Sequence, residues 1–163
     1  MKGRVFLGLG SNLGDRESWI RRALEALELR GVEIVQSSSI YETEPVGFVG
    51  QPDFLNLAVE VKTGLDPSSL MDACLKIEQS LGRRRGAKDG PRNIDIDLLY
   101  YGNTVTSSPD LTLPHPRIAE RAFVLTPLAE IAPGFLAPES GKTVSEMLQA
   151  CPDSSRILLW KKA

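Results

Sequence analysis

Two aspartates stand one residue apart inside an otherwise apolar run, Ile94-Asp95-Ile96-Asp97-Leu98-Leu99-Tyr100-Tyr101. Such a run reads as a strand, and side chains alternate faces along a strand. Asp95 and Asp97 therefore share one face, with α-carbons roughly 7 Å apart, while Ile94, Ile96 and Leu98 point into a core. Carboxylates at that spacing can hold one or two hard divalent cations against a polyphosphate, and oxygen ligands of this kind suit magnesium. The plainer alternative is an amphipathic strand with a solvated acidic face. Against it, acidic residues are depleted in strands and like charges on neighbouring sites repel. A bound cation would offset that repulsion.

A basic, glycine-containing stretch lies immediately upstream and carries Arg83, Arg84, Arg85, Lys88 and Arg92. Guanidinium forks match phosphate oxygens two at a time. Charge runs are more often solvated loops, but this one adjoins the aspartate pair, and together they suggest a nucleoside triphosphate at their junction. His115, the single histidine, sits between Pro114 and Pro116, with Arg117 and Arg121 following. The prolines limit the backbone around it. The imidazole could bond a phosphate or a leaving group, or be structural. Phe54 and Asn56 share a face of another predicted strand, and Phe123 lies beyond the histidine segment. Aromatics at such positions are usually core. A flat heterocycle stacked between two rings, with an amide reading its edge, uses the same residue types. Gly8-x-Gly10-Ser11-Asn12-x-Gly14 has neither P-loop nor dinucleotide-binding spacing. Its glycines suit a tight strand-to-helix turn and close backbone approach, with the shaping of a neighbouring pocket as a further option.

Regular elements must hold these residues. Val5 to Gly10 reads as a first strand, followed by a turn and a helix from Arg16 with Trp19, Ile20, Ala23, Leu24 and Leu27 on one face. Gly31 closes it. Val32 to Tyr41 is predicted as one second strand and Phe54 to Thr63 as a third. The segment between them, Glu44 to Pro52, is rich in Pro and Gly and reads as a functional loop. Asp66 and Pro67 open a second helix, with Leu70, Cys74, Ile77 and Leu81 at helical spacing and Gly82 as its stop. The fourth strand carries the aspartates. Short pieces follow at 104–105 and 111–113, one or two short helices between Ala119 and Ala132, another helix from Thr143 to Ala150, and a closing strand from Ile157 to Trp160. The core order is β-α-β-β-α-β, the α+β ferredoxin-like pattern of an antiparallel sheet with helices packed on it, here with short C-terminal additions.

The chain of 163 residues suits a single domain over 1–163, with 42% hydrophobic and 25% charged residues. A net charge of −2 gives no global positive field for nucleic acid or an anionic membrane. Two isolated cysteines, Cys74 and Cys151, form neither a disulfide framework nor a zinc site. No apolar run reaches the length of a signal core or a membrane span, so the expected compartment is the cytoplasm.

Seven ordered motifs make the chain resemble a known family, the 6-hydroxymethyl-7,8-dihydropterin pyrophosphokinases of folate biosynthesis, from about Val5 to Pro133. They are Gly8 to Asp15, Ser39 to Gly47, Gln51 to Asn56, Ile77 to Arg83, Gly90-Pro91-Arg92-Asn93-Ile94-Asp95-Ile96-Asp97-Leu98-Leu99, Leu113 to Arg117, and Arg121 to Leu128. The resemblance implies an ATP-dependent, usually monomeric enzyme with two magnesium ions (Mg2+). Asp95 and Asp97 would bind both ions. Arg83, Arg85 and Arg92 would engage the triphosphate, joined by His115 and Arg121, with Arg83 and Arg92 acting on the transferred group. Glu78, Leu98 and Thr112 would line the adenosine site. The pterin would stack between Phe54 and Phe123, with Asn56 and the backbone of Thr43, Pro45, Val46 and Gly47 around its edge. The chain departs from the family pattern at Leu75, Asp89 and Asp110, and carries Phe54 where a tyrosine is common.

Two other readings share the fold pattern. A single-strand RNA binder would need aromatics in an RNP-like run and a basic sheet face, and the sequence has neither. A non-catalytic nucleotide- or pterin-sensing domain would bind the same ligands without turnover.

Overall fold

The computed structural model describes residues 3–45, 50–82 and 93–163. In chain order the elements are β1 (Val5–Ser11), α1 (Arg16–Leu29), β2 (Val32–Ser37), β3 (Ile40–Thr43), β4 (Phe54–Thr63), α2 (Pro67–Ser80), β5 (Asp95–Tyr101), β6 (Thr106–Ser107), β7 (Thr112–Leu113), α3 (Ala122–Ile131), α4 (Val144–Ala150) and β8 (Ile157–Lys161). A single 3-10 turn, Ile118–Glu120, precedes α3.

Polar side chains cap the helices, at Asp66 as expected and at two further positions. Asp15 accepts a hydrogen bond from the Ser18 amide at the start of α1, and Asp66 does the same for Ser69 ahead of Pro67 in α2. Thr143 and Glu146 form a reciprocal capping box on α4. Gly31 and Gly82 end their helices at φ +82 and +84, where a side chain would be strained.

The main sheet has six strands in the order β5-β1-β4-β3-β8, with β2 also pairing β4. All its pairings are antiparallel. The expected second strand is two: β2 lies against Val59–Thr63 and β3 against Phe54–Asn56 of the same partner. The break falls at Ser38-Ser39. There the Ser38 hydroxyl accepts from the Ala58 amide, and the Ser39 amide and hydroxyl both donate to the Glu130 carboxylate on α3. Side-chain hydrogen bonds flank the one main-chain bond that continues there, from the Ser38 amide to Ala58 O.

Both faces of the sheet are covered. Val5, Leu7, Leu9, Leu57, Val59, Ile96 and Leu98 pack with Ile20, Ala23 and Leu27 of α1 and Leu70, Cys74 and Ile77 of α2. On the other face Phe6, Ala58, Leu99 and Tyr100 pack with Val124, Leu125 and Leu128 of α3 and Val144 and Met147 of α4. Phe135 completes this second core, edge-on to Phe6 at 5.0 Å. The C-terminal additions are therefore a second helical layer and an extra edge strand. A β-bulge in β5 accommodates both cores: Leu7 pairs Leu98 but Phe6 pairs Tyr100, so Leu99 and Tyr100 face the same side. No helix among the described residues is long and apolar enough to cross a membrane.

Candidate active site

The residues singled out for chemistry gather toward one end of the sheet face that carries the second helical layer. At that end the register lines up a single row of residues from four strands. Asp95 of β5 pairs Gly10 of β1, Gly10 pairs Asn56 of β4, and Asn56 pairs Tyr41 of β3. One step along, Asp97 pairs Gly8, and Gly8 pairs Ala58. Paired residues share a face. The carboxylates thus stand beside a floor of bare glycine backbone, with a carboxamide on its far side. Gly8 and Gly10 lie within the strand; the glycine in the strand-to-helix turn is Gly14, at φ +65.

Asp95 and Asp97 are half-buried, while Ile94, Ile96 and Leu98 are buried, as alternation requires. Between the two aspartates, the Ile96 amide points outward from the edge strand and donates to Glu78 Oε2 at 2.7 Å. Glu78 is only 3% exposed, on the α2 face turned to β5. Burial, then the charges of Glu78 and Asp97, push the neighbouring Cys74 thiol up to about 12. That thiol stays protonated and inert, and both cysteines are free.

Asn56 is fixed at the opposite end of the row. Its Nδ2 donates to Thr43 Oγ1 at 2.7 Å, and both residues are buried. Phe54 lies on the same face, its ring edge beside Gly10. Phe123, on α3, carries the Arg121 guanidinium 5.6 Å from its ring centroid. His115 is joined to the row's edge strand by its amide, which donates to Leu99 O. Burial and the charges of Arg121 and Arg117 depress its imidazole to about 4. Its Nδ1 accepts the Arg117 amide at a long 3.5 Å, so the ring proton sits on Nε2. Thr112 lies in β7, alongside β5. Leu98 is 1% exposed and its side chain packs under the helices, so only its main chain, on the sheet's outer strand, is placed to meet a ligand. Pro45 lies two residues beyond the end of β3. Arg83, Arg85, Arg92, Val46 and Gly47 lie outside the described residues.

Several positioning residues escaped the reading of the sequence. Asn12, 1% exposed, donates to Gln51 Oε1 at 2.8 Å and Pro52 O at 3.0 Å. Arg16 donates to Glu42 and to Asp53 O. Arg156, just before β8, exchanges main-chain and side-chain bonds with Glu44 and places its guanidinium 2.6 Å from Asp53 Oδ2. These contacts tie both ends of the segment between β3 and β4. Asn93 does the same for the basic stretch, donating to Leu81 O at 2.6 Å from the far side. Asn12 had a signal in its motif; Arg156 had none, because its partners are 103 and 112 residues away.

Two carboxylates, a buried carboxamide and the glycine backbone between them are thus brought onto one face. Comparison with known proteins identifies the family. The family model described as 7,8-dihydro-6-hydroxymethylpterin-pyrophosphokinase (HPPK) matches residues 6–133. The 2-amino-4-hydroxy-6-hydroxymethyldihydropteridine pyrophosphokinase of Bacillus subtilis is 40% identical over 99% of this chain and 93% of its own. The protein of that name from Methylorubrum extorquens is 47% identical over 89% and 91%. Among solved structures, wild-type HPPK-DHPS of Plasmodium falciparum shares the fold at a TM-score of 0.71 and 15% identity. That match covers 92% of this chain and 45% of the Plasmodium chain, so this chain spans less than half of that protein. With the profile spanning both the glycine strand and the histidine segment, the chain belongs to the 7,8-dihydro-6-hydroxymethylpterin pyrophosphokinase family.

Proposed function

We infer that the row from Asp95 to Tyr41 is where this pyrophosphokinase brings its two substrates together. The family reaction moves pyrophosphate from ATP to 6-hydroxymethyl-7,8-dihydropterin in folate biosynthesis, and the chain is an ATP-dependent diphosphokinase of that kind. The register Asp95–Gly10–Asn56 carries the assignment of the site. Neighbouring strands are about 4.8 Å apart, so Asp95 and Asn56 stand roughly 10 Å apart at their α-carbons. That span suits a bicyclic ring with a one-carbon arm. With its edge on Asn56 and its face between Phe54 and Phe123, the arm reaches the aspartates.

Asp95 and Asp97 offer hard oxygen donors on one half-buried face, which fits magnesium, and two ions are the reading adopted here. Asp95 and Asp97 would hold magnesium there, and the metal would supply positive charge against the phosphate oxygens. Arg83, Arg85 and Arg92 would grip the triphosphate from the basic stretch whose end Asn93 secures. His115, neutral, presents Nε2–H as a donor to a phosphate oxygen, and Arg121 adds charge beside it. Glu78, Thr112 and the Leu98 main chain border the nucleoside. Thr43, Pro45, Val46 and Gly47 border the pterin edge. The hydroxymethyl oxygen attacks the β-phosphorus and AMP leaves; positioning and electrostatics supply the rate. The working unit proposed is a monomer, one domain over residues 1–163, as the family resemblance implies. The proposed compartment is the cytoplasm, in keeping with ATP as co-substrate.

The test is product analysis with ATP, magnesium and 6-hydroxymethyl-7,8-dihydropterin. Pterin-dependent AMP without ADP is expected. ADP would mean attack at the wrong phosphorus, and magnesium-dependent ATP binding without turnover would favour a sensing domain. Asp95→Ala and Asp97→Ala should each fold and lose nearly all turnover; near-wild-type activity in either would remove the metal assignment.

A further inference from the structure

Gly10 is a strand residue in the middle of a six-stranded sheet, where glycine weakens the ladder and a β-branched residue would be at home. Its backbone does not demand glycine, since it is absent from the residues of this chain with positive φ. What it lacks is room. A Cβ there would stand 2.4 Å from Asn56 Oδ1, 3.5 Å from Asn56 Cγ and 3.6 Å from Phe54 Cδ1. Asn56 has no cheap way to retreat. Its Nδ2 is held by Thr43 Oγ1 at 2.7 Å, and the residue is 8% exposed, with Thr43 at 1%. To clear a methyl group the carboxamide must rotate and give up the bond that orients it. Gly8, the other glycine of the floor, differs: a Cβ there would meet only the end of the Leu99 side chain, at 3.4 Å.

We propose that Gly10 is a specificity-determining residue: its missing side chain seats the Asn56 carboxamide with Oδ1 turned over the floor as a hydrogen-bond acceptor. The inference rests on the assignment of Asn56 as the reader of the heterocycle edge. With Nδ2 engaged by Thr43, what Asn56 shows a ligand beside it is an acceptor, which selects rings carrying N–H donors on that edge. The reduced pterin ring carries such donors. Gly10 pairs Asp95 along the backbone, but the atoms its missing Cβ would meet first belong to Asn56 and Phe54, so its effect falls first on the heterocycle and only weakly on the nucleotide.

The experiment is a double-mutant cycle on Gly10→Ala and Asn56→Ala, read by calorimetric binding of 6-hydroxymethylpterin in the presence of magnesium and a non-hydrolysable ATP analogue. Analogue binding and thermal unfolding are measured alongside. Gly10→Ala should weaken pterin binding by about 10- to 100-fold, the loss expected for one misdirected buried hydrogen bond, with analogue binding changed less than about 3-fold. In the Asn56→Ala background, adding Gly10→Ala should cost less than about 3-fold in binding, because the two changes act on one contact. The same background should recover the unfolding temperature lost by Gly10→Ala alone. If Gly10→Ala does not fold, recovery of a folded double variant supports the proposal, and failure of the double variant overturns it. Equal losses in both backgrounds, parallel loss of nucleotide binding, or undiminished pterin binding would each overturn it too. A wild-type chain that binds no pterin would instead remove the functional reading beneath it.

Discussion

Replacing Glu78 with alanine strikes the hinge between fold and site. The residue is 3% exposed, and its Oε2 accepts the Ile96 amide at 2.7 Å, between the two aspartates and on the unpaired side of an edge strand. Glu78→Ala leaves that amide without its charged acceptor. A hydrogen bond to a charged group contributes about 1.5–3 kcal/mol, so the variant should lose about 2–3 kcal/mol. For a chain of this size each kcal/mol moves the unfolding midpoint by about 2–4 °C, which gives a drop of roughly 5–10 °C. Glu78→Gln keeps an oxygen in place and loses only the charge, so about 1 kcal/mol and roughly 2–4 °C are expected. The functional trace should be a higher magnesium half-saturation for turnover, larger in the alanine variant, because the segment carrying both carboxylates is less firmly held. The assays are thermal unfolding and a magnesium titration of AMP production. An alanine variant that melts with the wild type, or a glutamine variant as damaged as the alanine one, would refute the reasoning.

His115 makes stability depend on pH with a definite sign. The folded protein keeps the imidazole neutral down to about 4, whereas the ordinary value is 6.5. Between those values the unfolded chain binds more protons, so stability is full above about pH 6.5 and falls as pH is lowered toward 4. The loss should be on the order of 2 kcal/mol after solvent screening, and denaturant titrations of His115→Gln should show a flatter slope over that window. Arg156→Ala should raise the pterin KM by about 2- to 5-fold, the scale of one exposed ion pair, with the ATP KM unchanged and partial recovery in Arg156→Lys. Steady-state kinetics with each substrate varied would show it; an equal change in both KM values would contradict a role confined to the β3–β4 segment.

How far the sequence disclosed this site follows from the range of the interactions. Asp95 and Asp97 were legible because strand alternation is local, and the structure keeps both on the face opposite Ile94 and Ile96. The helices were legible from caps and periodicity, as at Asp66 and Gly82. The second strand was not, since its break depends on Glu130 reaching Ser39 across 91 residues. The same reason hid Arg156. Gly10 was visible as a glycine but not as a neighbour of Asn56, because only strand pairing brings β1 and β4 together. Leu98 was attached to the nucleoside site by resemblance, whereas alternation had already assigned its side chain to the core, where the structure places it.

The β5 bulge acts on the strand as a phase change acts on a wave. Before it, odd-numbered positions face the candidate site and even-numbered ones the α1–α2 layer; after it, Tyr100 and Tyr101 carry the opposite parity. The Tyr101 hydroxyl, 2.5 Å from Leu65 O, belongs to one layer, while Tyr100 lies in the other. The carboxylate half and the aromatic half of a seven-residue strand are thus registered independently. Removing Leu99 would leave Leu98 against Leu7 and Tyr100 against Phe6, so both carboxylates and both tyrosines would keep their layers while the second core lost one buried leucine. The bulge is therefore the one place described in this strand where the chain can lose a residue without exchanging its two faces.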